Sequence, residues 1–223
     1  MILISGDSWG VGEWGMTVDK KYSVLHGGLG FYLDKLGYDI KIVAKGGCSN
    51  QTAINNIRNN LSDKVKKIIW FQTDPIRDLH PYKTVHFKKI IQNYDSAMAE
   101  QKNLLNTTYK QLNDLNIKIC CLGGCSKLDI DLIKQYENLI PLIPCITEFF
   151  YPDYVHPDIW MSGWHFNITT NETLDFIEPE KKKQDNLSNK EYSDLFFPDG
   201  LHPNRKAHKI LSEYIISNFL NVY

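Results

Sequence analysis

The stretch Met1-Ile2-Leu3-Ile4-Ser5-Gly6-Asp7-Ser8 decides how this chain is read: an apolar run of strand length stops in a short polar turn that contains glycine. An uninterrupted apolar run predicts a buried strand, and the turn leaves Ser8 beside its carboxyl end. The same unit recurs outward along the chain. Residues 39–44 are apolar and β-branched and run into Gly46-Gly47. Residues 67–73, Lys-Ile-Ile-Trp-Phe-Gln-Thr, stop at Asp74-Pro75, and residues 117–122 stop at Gly123-Gly124. A last strand is predicted over 139–146, interrupted by Pro141 and Pro144.

Between these runs the spacing is helical. Residues 23–36 are closed by Gly37, residues 51–61 are polar and Asn-rich, and residues 129–137 form a short segment. A long helix is predicted over 87–115, with Ile90, Ile91, Tyr94, Met98, Leu104 and Leu105 on one stripe. The helix predicted over 204–219 places Ala207, Ile210, Leu211, Tyr214 and Ile215 on one side. Strands alternating with helices predict βαβ units and a parallel sheet covered on both faces. The expected architecture is therefore α/β, a three-layer α/β/α, flavodoxin-like doubly wound parallel sheet of about five strands. Ligands in such sheets bind beyond the carboxyl ends of the strands, where Ser8 is predicted.

At roughly 100–200 residues per domain, 223 residues allow one ample domain or two small ones. No repeat or linker divides them, so a single domain over 1–223 is expected, with an irregular insertion at about 151–197. That insertion is aromatic early (Tyr154, Trp160, Trp164, Phe166) and carries Lys181-Lys182-Lys183 later; a lid, a substrate wall and an oligomerisation patch all fit it. Charge nearly cancels, 25 Lys+Arg against 26 Asp+Glu, which argues against a nucleic-acid partner. Mean hydropathy is −0.33, and no segment approaches the roughly 18 apolar residues of a membrane span. The first residues lack the basic and long apolar regions of a signal peptide, so a cytoplasmic protein is expected. Cys48, Cys120, Cys121, Cys125 and Cys145 show neither a disulfide framework nor zinc spacing and read as reduced thiols; no metal is expected. His26, His80, His86, His156, His165 and His208 also lack metal spacing and read as surface or satisfied polar residues.

Two short segments carry chemistry. Gly6-Asp7-Ser8-Trp9 follows a strand, where a serine can expose its Oγ beside a backbone N–H. Asp199-Gly200-Leu201-His202-Pro203-Asn204 supplies an imidazole base and, three residues earlier, a carboxylate to orient it, with Asn204 able to cap the following helix. Each alone also reads as an ordinary turn. Together, at opposite ends of the chain, they explain each other.

With these segments the chain resembles an SGNH/GDSL hydrolase. Gly6-Asp7-Ser8 resembles the family's first block and Asp199-Gly200-Leu201-His202 its last, while Gly47-Cys48-Ser49-Asn50 resembles the second block. Phe71-Gln72-Thr73-Asp74 falls where the family has Gly-x-Asn-Asp and departs from it, with Phe71 for the glycine and Thr73 for the asparagine. The resemblance implies a serine esterase with Ser8, Asp199 and His202 as triad and no cofactor. Its oxyanion hole would come from the N–H groups of Ser8 and Gly47 and from Thr73, whose hydroxyl replaces an amide donor. Trp9, Asn50, Asp74 and Arg77 are candidates for substrate contact or for bracing the loops. The expected substrate is a small-molecule or carbohydrate ester, such as an O-acetyl group on a saccharide. An O-acyltransferase using the same triad, and a non-catalytic binding or structural protein, fit the same residues.

Overall fold

The computed structural model describes residues 1–78, 94–124, 126–153, 194–196 and 202–223. Five strands form the main sheet: β1 (Ile2–Ser5), β4 (Ile40–Ile42), β5 (Lys67–Gln72), β6 (Ile119–Gly123) and β7 (Leu139–Ile143). Their order is β4-β1-β5-β6-β7 and every pairing is parallel, with Ile4 opposite Ile42 on one side and Ile69 on the other. This is the expected doubly wound arrangement. The direction of winding reverses at β1, so the crevice beyond the ends of β1 and β5 is the switch point.

Side chains alternate across each strand, and the two faces bury two separate cores. Ile2 and Ile4 of β1, with Ile69 and Phe71 of β5, pack beneath helices α2 (Gly28–Lys35) and α7 (Arg205–Ile215) through Leu29, Leu33, Leu211 and Ile215. Leu3, Ile68 and Trp70 face α3 (Asn50–Arg58) and α4 (Tyr94–Asn113) through Ile54, Ile57, Leu105 and Leu112. Each such aliphatic or aromatic side chain contributes roughly 1.5–3 kcal/mol by leaving water. Short helices α5 (Ile130–Ile133) and α6 (Ile146–Phe150) flank β7, an edge strand. The edge position explains Pro141: it needs no outer partner, and the register shifts between Cys121 and Leu122 opposite it. The helix predicted over 87–115 is described as Tyr94–Asn113, its earlier part lying outside the described residues.

One expectation is corrected. Residues 23–36 are not one helix, because Tyr22–His26 is strand β3, paired antiparallel with β2 (Glu13–Met16). Residues Thr17 to Lys21 close this hairpin, with Lys20 at φ +57, the left-handed residue that a three-residue hairpin loop uses. The helix waits until Gly28, whose φ is +52 and where a β-carbon would lie 2.6 Å from Gly12 Cα. Preceding the hairpin is the single-turn helix α1 (Ser8–Val11).

Candidate active site

The turn after β1 is forced by close contact. Gly6 has φ +124, and a β-carbon there would sit 2.5 Å from the Phe71 carbonyl oxygen at the end of β5. Beyond it Asp7 caps α1, its Oδ1 accepting from Trp9 N–H at 3.1 Å, and Ser8 begins the helix half-buried. From the far end of the chain, His202 arrives just before α7, whose N-cap Asn204 accepts from Ala207 N–H at 3.1 Å, the expected cap. His202 is buried, and its Nε2 lies 2.7 Å from Ser8 Oγ across 194 sequence positions. Asp199 lies outside the described residues, as do His80, His86, Cys125 and residues 154–193 with their aromatic and lysine-rich segments.

The β2–β3 hairpin closes over this pair. Trp14 Nε1–H donates to the Ser8 carbonyl at 2.9 Å, its ring stacks on Tyr22 at 5.6 Å, and the Tyr22 hydroxyl lies 3.1 Å from His202 Nδ1. From the same hairpin, buried Glu13 receives Arg205 Nη2–H at 2.8 Å and Nε–H at 3.0 Å, and also the Arg205 backbone N–H. Burial alone would raise the Glu13 carboxyl, but these Arg205 donors and its charge outweigh it and hold the carboxyl below its ordinary value. Arg205 opens α7 three residues after His202, so the clamp ties the His202 loop to the hairpin. His26 and His208 lie nearby, and burial lowers both. His208 departs from the expectation of a surface residue: it is fully buried, against the backbone of Gly12 and Gly28.

On the other side lie the second and third blocks. Gly46 packs beside the site, where a β-carbon would come within 3.0 Å of Trp14 and 4.0 Å of Ser8 Cβ; Gly47 follows at φ +70, exposed. Asn50 is buried and pairs with the backbone of Thr73 in both directions, donating to its carbonyl at 3.1 Å and accepting its N–H at 3.0 Å. Thr73 requires a correction. Its one hydroxyl proton goes to Asp7 Oδ2 at 2.7 Å, while Arg77 Nη1–H donates to the same hydroxyl at 2.7 Å and to Asp7 at 3.1 Å. A hydroxyl so committed has no proton left for an oxyanion. Thr73 and Arg77 instead hold the buried Asp7 carboxylate that caps the Ser8 helix.

Asp74 is fully buried, with its carbonyl accepting Arg77 N–H at 3.1 Å, and the ion pair of Arg77 seen here is with Asp7. Gln72 faces away from Ser8, as its place on the strand predicts, accepting from Tyr109 and donating to Ser126. Trp9 is also corrected as a substrate candidate: it is buried against Phe196 at 6.0 Å and belongs to the core. Burial pushes the Cys48 thiol up to about 12, with Asp7 adding to it, and raises Cys120, Cys121 and Cys145 as well, so none is a thiolate near neutrality. Among the described residues no cluster of His, Cys, Asp and Glu could hold a metal ion, and no helix is long and apolar enough to cross a membrane.

Tyr22, Glu13 and Arg205 are the neighbours of the pair that the sequence reading missed. The available signal was the alternation of Tyr22, Val24 and His26 opposite Trp14 and Met16, which marks a hairpin.

No protein-family model matches this chain, and no curated protein does. Among solved structures, protein YxiM of Bacillus subtilis is similar at 15% identity and a TM-score of 0.47, over 99% of this chain and 56% of that one. The chain thus spans a little over half the length of YxiM. The second similar structure is a member of the lipolytic G-D-S-L family from Veillonella parvula, at 16% identity and a TM-score of 0.43, over 99% of this chain and 98% of that one.

Proposed function

We propose that this chain is a serine esterase of SGNH/GDSL type, hydrolysing a small carboxylic ester through an acyl-enzyme on Ser8. The observation that carries the reading is the 2.7 Å approach of His202 Nε2 to Ser8 Oγ at the switch point of the sheet. A serine hydroxyl within hydrogen-bond reach of an imidazole is the pairing that nucleophilic acyl transfer needs. In this reading Nε2 takes the Ser8 proton as Oγ attacks the ester carbonyl, and the negative charge moves to the carbonyl oxygen. The backbone N–H groups of Ser8 and Gly47 face that oxygen, without the Thr73 hydroxyl. His202 then gives its proton to the departing alcohol, leaving an ester on Ser8. Water attacks this ester, again through Nε2, and Ser8 regains its proton. Asp199, three residues before His202, stabilises the imidazolium, and the substrate in this reading is a small ester such as an O-acetyl group on a saccharide.

Intact-mass analysis after treatment with a fluorophosphonate tests the reading. One adduct is expected on the wild-type chain and none on Ser8→Ala. Turnover of p-nitrophenyl acetate should fall at least about a thousandfold in Ser8→Ala and His202→Ala. An unlabelled wild-type chain, or undiminished turnover by Ser8→Ala, would refute it.

A further inference from the structure

The serine–imidazole pair needs only Nε2 of His202; the opposite ring nitrogen faces the hairpin. There the Tyr22 hydroxyl stands 3.1 Å from Nδ1. Its ring is set by Trp14, stacked at 5.6 Å with the planes 24° apart. Trp14 is in turn pinned on two sides, by its Nε1–H bond of 2.9 Å to the Ser8 carbonyl and by the Gly46 backbone, where a β-carbon would come within 3.0 Å of the indole. One hairpin therefore touches the backbone of Ser8 and the ring of His202. The Glu13–Arg205 pair, at 2.8 Å, ties that hairpin to the helix that follows the base.

We propose that Tyr22 is a positioning residue for His202, its phenol oxygen accepting the Nδ1–H so that Nε2 is left to take the Ser8 proton. The inference rests on the esterase reading. An imidazole carrying its proton on Nε2 would donate toward Ser8 instead of receiving from it, so the tautomer decides whether the 2.7 Å contact is productive. A phenol oxygen accepts without gaining a proton. When Ser8 Oγ–H transfers to Nε2, the Nδ1–H stays on Tyr22 and the ring is held in place through the step. In this arrangement Asp199 acts on the imidazolium by its charge while Tyr22 receives the Nδ1–H, so loss of the phenol weakens the reaction without abolishing it.

Tyr22→Phe deletes the hydroxyl and keeps the stacked ring, whereas Tyr22→Leu deletes both. The measurements are the rate of fluorophosphonate labelling, kcat and KM for p-nitrophenyl acetate, and the Nδ1–H proton resonance of His202. In Tyr22→Phe, labelling and kcat should fall about tenfold with KM unchanged, the loss of one hydrogen bond at the base, and the Nδ1–H signal should move upfield. Tyr22→Leu should lose at least as much. An unchanged kcat and an unmoved Nδ1–H signal in Tyr22→Phe would overturn the proposal, as would a loss confined to Tyr22→Leu, which would assign the effect to packing. If the wild-type chain is not labelled at Ser8, the esterase reading fails, while the Nδ1–H comparison still decides the Tyr22 contact.

Discussion

Acidification should destabilise this fold through the imidazoles that burial lowers, His208 above all. Its ring is fully buried on α7, against Gly28, where a β-carbon would lie 3.0 Å from Nε2. Burial lowers its pKa from 6.5 to about 4; the Gly12 backbone and the Glu13 charge oppose the shift, and His26 and His202 add to it. The folded pKa is the depressed one, so between the two values the unfolded chain holds a proton that the folded chain refuses. Stability is thus complete above about pH 6.5 and is lost as pH falls toward 4. At about 1.4 kcal/mol per unit the ceiling is roughly 3 kcal/mol, of which about 2 kcal/mol is gone by pH 5. Against a typical total of about 5–15 kcal/mol this is a large fraction. Urea unfolding of the wild-type chain and of His208→Leu, at steps from about pH 7.5 to 5, measures it. The wild-type curve should fall about 2 kcal/mol further than the variant's over that range, whatever the variant's stability at neutral pH. Parallel curves would refute the reasoning, and so would an NMR titration placing His208 near the ordinary histidine value.

Three other outcomes follow from the site. Gly6→Ala forces a β-carbon to 2.5 Å from the Phe71 carbonyl at φ +124 and should cost about 3 kcal/mol, read as a fall in melting temperature; a shift under about 2 °C would contradict the close contact. Thr73→Val removes a donor to Asp7 and should lower stability by about 1–2 kcal/mol while p-nitrophenyl acetate turnover falls less than about tenfold. A fall of about 10²–10³ without loss of stability would restore Thr73 to the oxyanion hole. Arg77→Met leaves the Asp7 carboxylate buried without its cation and should cost about 3 kcal/mol in urea unfolding, more than Thr73→Val, because an uncompensated charge is dearer than a missing hydroxyl.

The strands were legible because each is a local event: Ile2 to Ile4, Ile68 to Phe71 and Ile119 to Leu122 are apolar on both sides of the pleat, the signature of a sheet covered twice. The helix cap at Asn204 was legible for the same reason. The hairpin was not. Tyr22 to His26 becomes a strand by pairing with Glu13 to Met16, and its apolar residues fit a helical spacing equally well when read alone. Thr73 misled because residue type shows that a hydroxyl exists but not where its proton points, and the acceptor, Asp7, lies 66 positions away. His208 misled likewise, since only the packing of α7 against Gly12 and Gly28 takes it out of water.

By itself, then, the order of residues determined a parallel α/β sheet and the candidates Ser8 and His202, because apolar period and turn chemistry act within a few neighbours of one position. Only the tertiary structure decided that Nε2 meets Oγ at 2.7 Å, that Tyr22 stands behind the His202 ring, and that Thr73 bonds to Asp7. Those are matters of distance and direction between groups far apart in the chain, and hydrogen bonds depend steeply on both.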